Sequence, residues 1–285
     1  MTTRLSRRSL LLTAVALGVL GFLPGTATAQ TATPVRGGTL TVNIGSEPPV
    51  LILIAHTAGQ ATYITGKTNE GLLTYDFDFN PQPLLATEWQ VAPDGLRYWF
   101  RLREGVKFHD GAPFTAEDVK FSLEALREHH PRGRATFAPV EQINILGPYE
   151  IELILSRPAP YLLTALASLE SPIVPKHLYE GTTIPENPHN QAPVGTGPFV
   201  FKEWVRGSHV LYERNPDYWD AGKPYLDQII VRFIGDAAAA VAALETGEVL
   251  VSANAPVPLS DIGRLQQNPQ LGFETRGFTY TNSIA

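Results

Sequence analysis

The 285-residue chain contains no cysteine, which excludes disulfides, thiolate metal sites and a lipidated cysteine as a membrane tether. Its seven histidines include no His-x-x-x-His spacing, and the adjacent pair His129-His130 cannot point at one ion from a helix, so no metal site is expected. There is no Gly-x-Ser-x-Gly elbow, and Gly195-Thr196-Gly197 runs into Pro198 instead of the Gly-Lys-Ser/Thr of a phosphate loop. The paired carboxylates Glu117-Asp118 and Asp76/Asp78 suit a helix N-terminus and a solvated connector. No catalytic residue and no cofactor are therefore assigned. Positive charge is also short, with 22 Lys+Arg against 28 Asp+Glu. That balance argues against nucleic acid or anionic lipid as partner.

Long apolar runs are lacking outside the N-terminus. Residues 10–23 are apolar and end at Pro24, short of the roughly 20 residues of a membrane span. Arg4, Arg7 and Arg8 precede this run, and Ala27-Thr28-Ala29 offers a small-residue cleavage site before Gln30. Residues 1–29 thus read as an export signal, and residues 30–285 as the mature chain. Ser6-Arg7-Arg8-Ser9-Leu10-Leu11 fits a twin-arginine signal, although paired arginines also occur in general secretory signals. Removing three arginines leaves 19 basic against 28 acidic residues, moving the net charge from −6 to −9. A soluble periplasmic protein without a lipid anchor is expected.

With 44% hydrophobic residues, the chain can bury the core of one large domain or two small ones. The pattern predicts a first strand in residues 37–45, a helix over 58–73 and a turn-rich connector over 75–81. A hairpin of 86–91 with 96–103 follows, turning at Pro93-Asp94-Gly95. In its second strand Tyr98, Phe100 and Leu102 alternate with Arg97, Trp99, Arg101 and Arg103. Thr115 and Asp118 mark the start of a helix over 116–130. Further on come a hairpin of 140–146 with 149–155, a short helix over 158–168, a loop over 182–193, strands through Val205 and over 226–234, and an alanine-rich helix over 237–246. There are no internal repeats.

Residues 95–121, G-L-R-Y-W-F-R-L-R-E-G-V-K-F-H-D-G-A-P-F-T-A-E-D-V-K-F, resemble the signature of the extracellular solute-binding proteins of family 5, the dipeptide, oligopeptide and nickel-chelate receptors of bacterial ABC importers. A second match runs from P-V-G-T-G-P-F at 193–199 to R-N-P-D-Y-W at 214–219. Two departures stand out: Leu51-Ile52-Leu53-Ile54 replaces a Leu-Asp-Pro tripeptide, and Leu250 replaces an aspartate. The resemblance implies an α/β fold of the periplasmic binding protein type with class II topology. It covers the first lobe and a β-rich subdomain, with the second lobe absent.

The implied function is capture of a peptide or peptide-like solute by two-lobe closure and delivery to membrane permease subunits, by a protein monomeric at full length. Expected cleft-facing residues are Ser46, Glu47, Tyr63, Glu70 and the turn Gly195, Thr196, Gly197, whose glycines let backbone approach a ligand or another strand. Tyr63, Trp204, Tyr212, Tyr218 and Trp219 supply aromatic surface for a groove or for packing. A metal chelate, an opine or an oligosaccharide is the alternative solute. A twin-arginine-exported hydrolase is the competing class, and the export signal alone favours it.

Overall fold

The computed structural model describes residues 34–253 and 257–272; the expected export signal and the chain end at 278–282 lie outside the described residues. The chain runs β1 (Thr39–Asn43), α1 (Gly59–Thr68), β2 (Leu73–Tyr75), β3 (Pro81–Pro83), β4 (Ala86–Val91), β5 (Arg97–Leu102), α2 (Ala116–His129), α3 (Gly133–Thr136), β6 (Val140–Gly147), β7 (Glu150–Leu155), α4 (Leu162–Ala165) and α5 (Lys176–Tyr179). It continues through β8 (Phe199–Val205), β9 (His209–Arg214), β10 (Gln228–Arg232), α6 (Ala237–Glu245), β11 (Val251–Ser252) and α7 (Leu259–Leu265).

Two sheets carry this order. The first is β11-β1-β10-β9-β8, in which β1 pairs in parallel with both β10 and β11 while β8, β9 and β10 form an antiparallel meander. The second, β4-β5-β7-β6, is antiparallel throughout and lies in sequence between β1 and β8. A parallel pair cannot be joined by a tight turn, and here the connection from β1 to β10 contains the whole second sheet. This mixed α/β arrangement fits the α/β class expected from the sequence.

Alternation decides which faces are buried. In β5, Tyr98, Phe100 and Leu102 are buried while Arg97 and Arg101 are exposed; on its neighbour β7, Ile151, Leu153 and Leu155 face the same core. Val119, Leu123 and Leu126 of α2 close that core from above. At the start of α2, Asp118 Oδ2 accepts from the Thr115 amide at 2.9 Å and its other oxygen from the Lys176 amide at 2.9 Å. Its neighbour Glu117 pairs with Lys176 Nζ at 3.1 Å. A smaller core under the first sheet gathers Ile44, Leu51, Ile64, Val210, Tyr212 and Val231.

The structure shortens two predicted helices. The one expected over 58–73 ends at Thr68, because Asn69 is extended and its side-chain amide donates to Ile173 O (3.0 Å) and Val194 O (3.2 Å). Gly71 then passes so close to residues 166–168 that a Cβ would sit 2.5 Å from Ser168 N. The helix over 158–168 is reduced to the single turn α4. The connector over 75–81 is the tip of a hairpin, β2–β3, that the pattern did not predict. Asp76 organises it by accepting from the amides of Asp78 and Asn80, both at 2.9 Å.

In α7 the exposed interior residue Gly263 has nothing within 4 Å of the position a Cβ would take. Gly263→Ala is therefore expected to raise stability by about 0.5–1 kcal/mol through helix propensity, read as a shift of the denaturation midpoint.

Candidate functional site

The expected site residues fall into two groups. Glu70, Gly195, Thr196 and Gly197 meet where α1 ends and the irregular segment leading into β8 begins. Glu70 is 3% exposed and Thr196 fully buried. The Glu70 carboxylate accepts from Thr196 Oγ1 (2.8 Å) and Trp219 Nε1 (2.9 Å) on one oxygen and from the Tyr218 hydroxyl (2.7 Å) on the other. Its main-chain oxygen accepts from the Ile173 amide at 2.9 Å.

Arg103, at the end of β5, stacks on the Trp219 ring at 3.9 Å and donates through Nε to Leu84 O at 3.0 Å. Burial pushes the Glu70 carboxyl above its ordinary value, outweighing the three donors and the Arg103 charge, which act to lower it. Burial, and then the Glu70 charge, push the Tyr218 phenol well up. Tyr218 and Trp219, assigned to packing or a groove by sequence, are polar partners here.

The glycine turn is held from both sides. The Gly197 amide donates to Thr68 O at 2.8 Å. His109 Nδ1 accepts from the Gly195 amide (3.3 Å) and its Nε2 faces Gly197 O (2.9 Å), the neutral tautomer that burial favours by lowering its pKa. Asn215 Nδ2 also donates to Gly197 O at 3.0 Å. The turn, the end of α1 and the region after β5 are thus locked into one polar junction between the two sheets. His109 serves there as the structural hydrogen-bonder its place in the turn suggests.

Ser46, Glu47 and Tyr63 form the second group, at the carboxyl end of β1. Asn43, missed by the sequence reading, shapes this end: buried, it accepts from the amides of Gly45 (3.0 Å) and Ile234 (2.9 Å) and donates to Ile234 O (3.1 Å), tying β1 to β10. The chain then turns outward, leaving Ser46 exposed with its hydroxyl accepting from Gln60 Nε2 of α1 at 2.7 Å. Glu47 Oε2 accepts from the Gly207 amide at 3.0 Å. Glu47 Oε1 lies 3.6 Å from Arg206 NH1 and has no hydrogen-bond partner among the described residues.

Arg206 stacks on Trp204 at 3.4 Å, and the buried indole Nε1 of Trp204 has no acceptor among the described residues. Tyr63 and Trp204 are half-buried and pack on the smaller core, whereas Tyr212 lies wholly inside it and presents no surface. In open α/β sheets, ligands bind beyond the carboxyl ends of the parallel strands. The loop of Ser46 and Glu47 lies at that end. Arg206 was missed because a turn arginine has no pattern; its stacking on Trp204 appears only in three dimensions.

Residues 80–284 match the family described as bacterial extracellular solute-binding proteins, family 5 Middle. The oligopeptide-binding protein AppA of Bacillus subtilis is 33% identical over 223 residues, covering 76% of this chain and 40% of that protein. Its structure with a nonapeptide is similar with a TM-score of 0.72 at 33% identity, over 76% of this chain and 44% of that one. AgaA of A. tumefaciens R10, in complex with agropinic acid, gives 0.73 at 34% identity over 81% and 46% of the two chains. NikZ of Campylobacter jejuni, in complex with Ni(L-His), gives 0.72 at 29% identity over 81% and 45%. This chain spans 40% of the curated AppA sequence and under half of each of these structures. The match covers most of the sequence, the whole second sheet and every strand of the first except β1, and the chain belongs to the bacterial extracellular solute-binding proteins of family 5.

Proposed function

We propose that this chain is the N-terminal lobe of a periplasmic substrate-binding component of an ABC importer, capturing a peptide or peptide-like solute. The observation that carries the reading is the surface at the end of β1. Ser46, Glu47, Tyr63, Trp204 and Arg206 there combine aromatic area with an exposed hydroxyl and an exposed guanidinium. Contacts with a bound solute made only in the closed state drive closure of a second lobe. No bond is made or broken. In this reading Glu70, Gly195, Thr196 and Gly197 hold the surface in place, while Ser46, Glu47 and Tyr63 touch the solute. Membrane permease subunits are the partners, and the working receptor is monomeric.

The test is native mass spectrometry of the intact protein from the periplasm of its host. A releasable peptide-sized adduct is the expected result, and turnover of that adduct would instead indicate an enzyme. Trp204→Ala is expected to weaken solute binding about ten- to hundredfold in isothermal titration, as loss of an aromatic anchor does. An unchanged affinity would remove this surface from the site. AgaA matches this chain as well as AppA does, which favours an opine as the second reading; an adduct with the mass of an amino-acid conjugate would select it.

A further inference from the structure

One charge beside this surface has no counterpart. Gln60, Tyr63 and Lys67 follow at i, i+3 and i+7 along α1 and therefore share one flank of the helix. The hydrogen bond from Gln60 to Ser46 Oγ aligns that flank with the loop after β1. Lys67 is half-buried, and among the described residues it has no hydrogen bond or ion pair. Burial alone acts on its ammonium and lowers its pKa. Lys176 and Lys223 behave in the opposite way, raised by Glu117 and by Asp220 respectively.

A lysine in the last turn of a helix often serves the helix dipole, but here two of the carbonyls at that end already have other donors. The Asn69 amide takes Thr65 O at 2.9 Å and the Gly197 amide takes Thr68 O at 2.8 Å. A second donor without an acceptor among the described residues, Trp204 Nε1, lies on β8, the strand against which α1 packs. Of these two donors Lys67 is half-buried rather than enclosed, and it calls for a ligand that brings an acceptor.

We propose that Lys67 recognises a carboxylate of the bound solute, pairing with it at the α1 flank of the surface. The assignment rests on the solute-binding reading above and deepens it: the solute carries an anionic acceptor, either a peptide's terminal carboxylate or the carboxylates of an opine-like conjugate.

The experiment uses the intact protein with trialanine, trialaninamide and octopine, each titrated calorimetrically against wild type and Lys67→Met, which keeps the apolar stem and drops the charge. Wild type is expected to prefer trialanine over its amide, or to bind octopine, by at least roughly tenfold over the same solute on Lys67→Met. The variant should lose the acid-over-amide preference while its unliganded melting temperature stays level or rises. Preference for trialanine assigns the carboxylate to a peptide terminus, and preference for octopine assigns it to a conjugate. Equal binding of acid and amide, unaltered by Lys67→Met, overturns the role of Lys67 and leaves the receptor reading standing. If none of the three binds, these solute classes fall from the receptor reading, and Lys67 is decided by its rate of acylation by an amine-reactive reagent. Citrate slows that rate if Lys67 is an anion site; an unchanged rate overturns the proposal.

Discussion

Gly195→Ala is expected to be among the most damaging single substitutions in this chain. A Cβ at 195 would sit 2.0 Å from Thr68 O and 2.7 Å from Asn69 Cγ. Neither atom can yield cheaply. Moving Thr68 O breaks its bond from the Gly197 amide, and moving the Asn69 side chain breaks its bonds to Ile173 O and Val194 O. On the far side, His109 holds the turn through its own amide, which donates to Gly195 O at 2.9 Å.

Overpacking in a core costs about 1–3 kcal/mol when side chains can adjust; here the obstruction is main chain, so the cost lies at or beyond the top of that range. At roughly 2–4 °C per kcal/mol for a domain of this size, the melting temperature of the intact protein should fall by about ten degrees. Gly263→Ala, the same chemical change in open space, should move it the other way. Equal behaviour of the two variants would mean that the approach of the turn to α1 is not as close as described.

The difference between those glycines bears on how much sequence can tell. Elements whose neighbours are adjacent in the chain were legible: the hairpin β4–β5, its turn at Gly95, the start of α2 at Thr115 and the hairpin β6–β7 all follow from alternation, turn chemistry and capping. The family resemblance was legible as well, because it rides on those same local segments. The end of α1 was not. Nothing local stops a helix at Thr68; the stop is imposed by Ile173 and Val194, more than a hundred residues away.

The site was half legible for the same reason. Glu70 and the turn Gly195–Gly197 stood out in sequence, yet their relation to each other, and to Tyr218, Trp219 and Arg103, exists only across the junction of the two sheets. Lys67 and Arg206 carried no signal at all, since a lysine in a last helical turn and an arginine in a hairpin look like solvated surface. That Lys67 has no acid partner among the described residues, and that Arg206 stacks on an indole, are properties of the fold.

Glu70 gives the second large effect, and it has a pH signature. Glu70→Ala would leave Thr196, Tyr218 and Trp219 without their common acceptor in a buried site. The two hydroxyls can turn to other oxygens, but the Trp219 indole can only donate. With about 1–3 kcal/mol for each stranded donor, an overall loss of roughly 3–5 kcal/mol is expected, of the size seen when one member of a buried charged network is removed. Glu70→Gln should be far milder, with its oxygen serving Thr196 and Trp219 and its amide donating to the Tyr218 hydroxyl.

The two variants isolate the titration. Because burial raises the Glu70 pKa above its ordinary value of 4.5, the folded state holds this proton more tightly than the unfolded chain does. The stability Glu70 contributes is then complete below that value and is lost as pH rises through the folded-state value. Denaturant midpoints of wild type and Glu70→Gln, followed from acid toward neutral pH, should show wild type losing ground to the variant as pH rises. A difference that instead grew in favour of wild type would mean that the three donors and Arg103 outweigh burial, and that Glu70 sits ionised in the junction as a depressed carboxylate.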